Sequence, residues 1–216
     1  MLDTVMTPAK KRSGILLATT NPAKMEKLRW MLDGLGLEFH TPMEISNAPI
    51  HTEDGYTHLE NAEAKAVLWS DAFEGLAVAT DGGLVIPALG DSWDSLRTAR
   101  FAGQEATDAV RAKKLLEMMA HLQGEKRVAF WVESVALADQ GDVLMTWEAH
   151  SAKGYIVTEA DPAKVKPGFW AFSLWRMPEF SKVYAELTPE ELHKADDHWG
   201  HLRERVQEYF RMAKPR

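Results

Sequence analysis

The sequence predicts an α/β fold, a long mixed β-sheet flanked by helices, and three observations carry that prediction. An apolar run at Gly14–Ala18, a helical stretch and an extended segment at residues 37–40 form an early strand–helix–strand unit. Two long extended runs, Arg127–Ala138 and Val143–Val157, meet at Gln140-Gly141-Asp142, a hairpin signal that makes the sheet mixed rather than parallel. Amphipathic helical periodicity recurs between and after these strands.

Each element follows from local chemistry. Gly14–Ala18 is a continuous apolar run bounded by turn-formers, as in a short buried strand. Asn21 suits a helix N-cap and Pro22 the first helical position, and Met25, Leu28, Met31 and Leu32 then share one face up to Gly34 and Gly36. Thr57 and Glu60 have capping-box spacing and open a helix running to about Phe73. Leu76–Thr80 and Leu84–Ile86 read as two strands flanking a turn at Asp81-Gly82-Gly83. Residues 106–122 read as an amphipathic helix carrying Val110, Leu115, Leu116, Met119 and Leu122. Pro189-Glu190-Glu191 opens a short helical turn, and residues 199–212 make a final helix.

Composition narrows the function. The chain has 216 residues, enough for one core or two small lobes around a cleft. Lys and Arg number 25 against 32 Asp and Glu, a net charge of −7 that disfavours a nucleic-acid polymer as partner. With no cysteine, there is no disulfide, thiolate nucleophile or Cys-ligated zinc. No apolar segment approaches the ~20 residues of a membrane span, so no membrane partner and a cytoplasmic location are expected. Residues 1–12 read as a flexible leader and 13–216 as a single domain.

Four groups of residues carry chemistry. Thr19, Thr20, Asn21 and Lys24 lie between a strand and a helix N-terminus, where backbone N–H groups and the helix dipole favour phosphate; the bland reading is a capped helix with a solvated lysine. Glu53 and Asp54 precede a helix face carrying Asn61 and Lys65, and such carboxylates suit Mg²⁺; the bland reading is a loop of solvated acids. Asp81 stands at a strand end before Gly82 and Gly83, a place for a metal-binding or basic carboxylate or for a simple turn. Phe169, Trp170, Phe172 and Trp175, with Lys182 and then His198 and Trp199, could stack a nucleobase or be core aromatics.

The order of these segments resembles the inosine triphosphate pyrophosphatase family over residues 14–212. Thr19-Thr20-Asn21-Pro22-Ala23-Lys24 is similar to the family's T/S-G-N-x-x-K opening, and Glu60-Asn61-Ala62-Glu63-Ala64-Lys65-Ala66 to its E-N-A-x-x-K-A helix. Ala79-Thr80-Asp81-Gly82-Gly83-Leu84 resembles A-D-D-S-G-L, Arg97–Gly103 resembles Y-S-A-R-Y-A-G, and Glu186–Glu191 resembles A-E-L/M-x-x-E-E. The resemblance implies two lobes with a central cleft and a homodimer. It also implies Mg²⁺-dependent cleavage of a nucleoside triphosphate to monophosphate and pyrophosphate.

By motif position, Thr19, Thr20, Asn21 and Lys24 would bind the triphosphate and Lys65 would neutralise phosphate charge. Glu53, or its neighbour Thr52, would sit at the metal-carboxylate position. Asp81 would be a metal ligand or the base that activates water, with Gly82 beside it. Phe169, Trp170, Lys182, His198 and Trp199 would contact the substrate late in the chain. The chain departs from the pattern at Thr80, which replaces an acid, and at Thr20, which replaces a glycine. It departs again at Phe172 in the G-F-G-Y-D-P run and at Trp199 in the S-H-R-G run. The last two exchange polar groups for aromatic ones, so a shifted base preference is expected. Three readings follow: a pyrophosphatase acting on a purine or modified nucleotide; a nucleotide-binding or sensor protein that lost turnover, suggested by Thr80; and a hydrolase of a modified pyrimidine or sugar nucleotide.

Overall fold

A computed structural model describes residues 14–213 apart from 51, 104, 165, 166 and 196; the expected leader at residues 1–12 lies outside the described residues. The strands are β1 (Ile15–Leu17), β2 (Phe39–His40), β3 (Leu76–Val85), β4 (Val128–Asp139), β5 (Asp142–His150), β6 (Gly154–Ile156), β7 (Trp175–Met177) and β8 (Lys182–Val183). The helices are α1 (Pro22–Leu32), α2 (His58–Phe73), α3 (Asp108–Met118), α4 (Pro189–Lys194) and α5 (His198–Ala213). Among the described residues the eight strands form one mixed sheet, ordered β2-β1-β3-β4-β6-β7-β8 with β5 also on β4. β1 runs parallel to β2 and β3, while β3, β4 and β5 are antiparallel.

The period-2 alternation of the strands divides the core in two. Leu16, Ala77, Ala79, Ala136 and Ala138 face α2 and meet Ala62, Ala66, Trp69 and Phe73. The small alanines let this helix lie close to the sheet. Ile15, Leu17, Val78, Val135 and Leu137 point to the other face, where the larger core holds most of the aromatic side chains.

Three sequence expectations are corrected. Asp81-Gly82-Gly83 is not a turn between two strands; it lies inside β3, in register with Ser134, Glu133 and Val132 of β4. These glycines answer to close neighbours: a Cβ on Gly82 would lie 2.2 Å from Glu133 Oε2, and one on Gly83 would lie 2.0 Å from the Ser95 carbonyl. The run at 143–157 is two strands: both pair with β4, but the ladder breaks after His150 and resumes at Gly154 opposite Ala129, shifted by one residue. Helix α3 spans only Asp108–Met118, shorter than the apolar periodicity at 106–122 suggests.

One consequence of the topology positions the site. β1 is three residues long and pairs with β3 only at Leu76, Ala77 and Val78. The rest of β3 therefore runs on past the carboxyl end of β1, where α1 begins. That is the usual place for a ligand in an α/β sheet.

Candidate active site

A cleft of about 380 Å³ opens at this edge of β3. Among the residues lining it are Thr19, Thr20, Asn21 and Lys24 from the β1–α1 loop, Glu53 and Lys65 from the α2 region, Asp81 and Gly82 from β3, and Phe169 and Trp170. Lys24 and Asp81, 57 positions apart in sequence, thus face one space.

Asn21 caps α1 as its type predicts. Its Oδ1 accepts from the Ala23 N–H at 2.9 Å and the Lys24 N–H at 3.4 Å, so these amides are already bonded within the cap. The side chains at this loop that can meet an anion are the two threonine hydroxyls, of which Thr19 Oγ1 also accepts from the Asn21 N–H at 3.2 Å, and the Lys24 ammonium. Asn21 Nδ2 donates to the Gly168 carbonyl at 3.4 Å, which ties the loop to the aromatic segment that follows. Gly168 has φ +83°, and a Cβ there would come 2.6 Å from Asn21 Oδ1, so glycine permits the contact.

Asp81 is nearly buried and richly partnered. His58 Nδ1 donates to its Oδ2 at 2.8 Å, Asn61 Nδ2 donates to the same oxygen at 3.5 Å, and Lys65 Nζ lies 3.9 Å from Oδ1. Burial pushes the carboxyl pKa up, but the His58 hydrogen bond and the charges of Lys24, Lys65 and His58 outweigh it and hold Asp81 below the ordinary aspartate value. Lys65 also reaches Glu53 Oε1 at 3.1 Å and donates to the Thr80 carbonyl at 3.3 Å, on the open edge of β3. Arg100 holds the other Glu53 oxygen at 2.7 Å. Burial opposes the charge on Lys24, yet Glu133, Asp81 and Glu53 together raise its pKa above that of an ordinary lysine.

Glu53 and Asp81 are the carboxylates that face the cleft, and one ammonium reaches both. Among the described residues, no group of three or more His, Cys, Asp or Glu side chains is arranged around a common metal position.

The late aromatic region is divided. Phe169 lines the cleft and also a larger groove of about 850 Å³ beside α1, whose walls include Lys27, Phe172, Tyr184, Asp197 and His201. Phe169 stacks on Phe172 at 4.7 Å. Tyr184 donates its hydroxyl to Asp197 at 2.5 Å, and burial raises the pKa of both groups. Three expected substrate contacts line neither cavity. Lys182 pairs with Glu191 at 2.6 Å. His198 and Trp199 are completely buried at the start of α5; they belong to the core, the bland reading for aromatic residues.

Glu133, His58 and Arg100 receive no site role from sequence, and Asn61 no contact. A lone acid inside the apolar run Val128–Ala138 is the available signal for Glu133, since buried charges are rare without partners. His58 stands where a helix begins, and nothing local ties it to Asp81.

A lysine-lined cleft at the carboxyl end of a parallel strand, with two carboxylates facing it, is the architecture of an α/β nucleotide-site protein. The chain matches the Ham1 family over residues 15–203 and belongs to it. It is 32% identical over 198 residues to a dITP/XTP pyrophosphatase of Geobacillus kaustophilus, covering 87% of this chain and 95% of that one. A dITP/XTP pyrophosphatase of Thermus thermophilus is 36% identical over 177 residues, 82% of each chain. In three dimensions the fold is similar to that of a HAM1 protein from Coxiella burnetii, with a TM-score of 0.77 and 30% identity, covering 94% of this chain and all of that one.

Proposed function

We propose that this cleft binds the triphosphate of a purine or modified nucleoside triphosphate and hydrolyses it to the monophosphate and pyrophosphate with Mg²⁺. The general class, a nucleoside triphosphate pyrophosphatase, follows from Ham1-family membership and from the dITP/XTP pyrophosphatases among its relatives. The observation that carries the reading is the convergence of Lys24, Lys65 and Asp81 on one cleft.

The donor set fits the metal. Mg²⁺ is held through one or two carboxylates, with phosphate oxygens and water completing its shell. Glu53 and Asp81 supply two such carboxylates at a place where Lys65 already brings a cation to both. When bound there, the ion supplies charge neutralisation on the phosphates.

The chain's own residues do the rest. Lys24 and Lys65 bind phosphate oxygens, and the threonine hydroxyls at 19 and 20 orient them. Water attacks the α-phosphorus, and the bond to the bridging oxygen breaks toward the pyrophosphate. Asp81, ionised well into the acid range, orients that water and takes its proton as the bond forms. Its Oδ2 is committed to His58 and Asn61, so Oδ1 serves the cleft. Phe169 and the groove beyond it take the base. The walls of that groove include the aromatic rings of Trp30, Phe169, Phe172 and Tyr184, with Asp197 as an acceptor, and they support a base preference weighted toward stacking.

A second reading, nucleotide binding without turnover, keeps one observation in its favour: Thr80 stands where the resembling segment has an acid. Pyrophosphate release measured across common, deaminated and modified nucleotides, with and without Mg²⁺, separates the two. Mg²⁺-dependent release that is lost in Asp81→Asn is the expected result. Tight triphosphate binding with no release from any nucleotide would favour the second reading. We also place the enzyme in the cytoplasm as a homodimer. Among the described residues no helix is long and apolar enough to cross a membrane. Val143, Leu144 and Met145 form an exposed apolar run on β5, suited to self-association. Sedimentation at the mass of two chains is expected.

A further inference from the structure

We propose that Glu133 is a positioning residue for the reaction: from the neighbouring strand β4 it supplies the carboxylate that Thr80 does not, and it fixes Lys24 at the phosphate end of the cleft. This inference rests on the pyrophosphatase reading above.

Glu133 is completely buried. A carboxylate in that position persists only if donors and a counter-charge surround it. They do. Thr80 donates its hydroxyl to Oε1, Trp131 donates Nε1–H to Oε2 at 2.7 Å, and the Lys24 ammonium lies 3.5 Å from Oε1. The backbone is shaped to admit the group. Glu133 stands opposite Gly82 in the ladder, and the space a Gly82 side chain would fill holds the Glu133 carboxylate instead. Thr80 and Gly82 lie two apart on one face of β3, so the acid reaches from β4 the place an acid at position 80 would reach from β3.

The consequence is mechanical. A lysine with only solvent beside it relaxes onto whatever phosphate binds, stabilising the ground state as much as the transition state. A lysine held from behind by a buried carboxylate keeps its position. It then meets the phosphate charge where the reaction develops it. Lys24 side-chain exposure is 15%, so one side of the ammonium faces the carboxylate while the other meets the cleft.

Steady-state kinetics on Glu133→Gln, Glu133→Asp, Thr80→Asp and the double variant Thr80→Asp/Glu133→Gln test this. The Gln variant keeps the shape and removes the charge. Its kcat should fall on the order of 100-fold, with KM unchanged or lower. The Asp variant should retain wild-type KM and an intermediate kcat, and it serves if the Gln variant does not fold. The double variant returns a carboxylate to Lys24 and should recover kcat to within roughly tenfold of wild type, a rescue that a purely structural role would not give. An unchanged kcat in Glu133→Gln, a loss expressed only as raised KM, or a double variant no better than the Gln variant overturns the proposal. Should the wild-type chain release no pyrophosphate from any nucleotide, the pyrophosphatase reading fails separately. Calorimetry with inorganic tripolyphosphate then decides on Glu133: tighter binding by Glu133→Gln than by wild type supports the role, and equal or weaker binding refutes it.

Discussion

Asp81 keeps its charge inside the protein because of the residues around it. Burial alone would favour the neutral acid, and the His58 hydrogen bond with the Lys24 and Lys65 ammoniums reverses that. Replacing it with asparagine keeps the shape and most hydrogen bonds but removes the negative charge. Turnover should fall ~100-fold or more, with a near-native circular dichroism spectrum. Gly82 carries a different constraint. Its conformation is ordinary extended strand, yet a methyl group there would lie 2.2 Å from Glu133 Oε2. Gly82→Ala must therefore displace a buried carboxylate that Thr80, Trp131 and Lys24 all hold. A cost of roughly 1–3 kcal/mol in denaturant unfolding is expected, together with reduced activity. An unaltered unfolding midpoint would mean that the carboxylate has room to move.

Helix α2 is the element that organises the acid side of the cleft. His58, Asn61 and Lys65 follow at intervals of three and four, which places them on one face toward Asp81. Its start is fixed by Thr57, whose hydroxyl accepts from the Glu60 N–H at 3.1 Å, while Glu60 Oε2 accepts from the Tyr56 N–H at 2.7 Å. Thr57→Ala should cost about 1 kcal/mol. Because His58 is the next residue, kcat should fall alongside stability; a stability loss with kcat intact would separate the cap from the site. Helices α1 and α2 are legible in the sequence because caps and apolar spacing are local properties. β3 reads as two strands for the opposite reason. Its glycines look like a turn, but they answer to Glu133 and Ser95, which are distant in sequence. β6 merges with β5 in the sequence pattern because both pair with β4, and the break between them is a one-residue shift in that ladder.

At the scale of the whole molecule, the chemistry-bearing segments are legible one by one, and their assembly is not. Thr19 to Lys24, Glu53, Lys65 and Asp81 line one cleft because β1 is short and β3 runs on past it. The late aromatics show the limit: Phe169 and Trp170 reach the cleft, while His198 and Trp199 close the core beneath α5. Composition cannot tell a stacking ring from a packed one. The burial of His198 has a measurable consequence for the entire fold. Burial, with smaller contributions from Lys27 and His201, pushes its pKa well below the ordinary 6.5. Neither ring nitrogen has a hydrogen-bond partner, and Asp197 Oδ1 lies 3.6 Å from Nδ1. The folded chain therefore keeps this ring neutral where the unfolded chain takes up a proton. More protons bound by the unfolded state means that stability rises with pH, so the contribution is complete above 6.5 and declines as pH falls below it. Asp81 has the same sign but acts only below the ordinary aspartate value of 3.8, while Asp197, with a raised pKa, acts with the opposite sign. Between pH 7.5 and 5, His198 should thus contribute a loss of up to about 1.4 kcal/mol per pH unit. Urea unfolding of wild type and His198→Phe across that range checks it. The variant should lose most of this slope while keeping a similar core volume, and parallel pH profiles for the two proteins would show that His198 is not the group responsible.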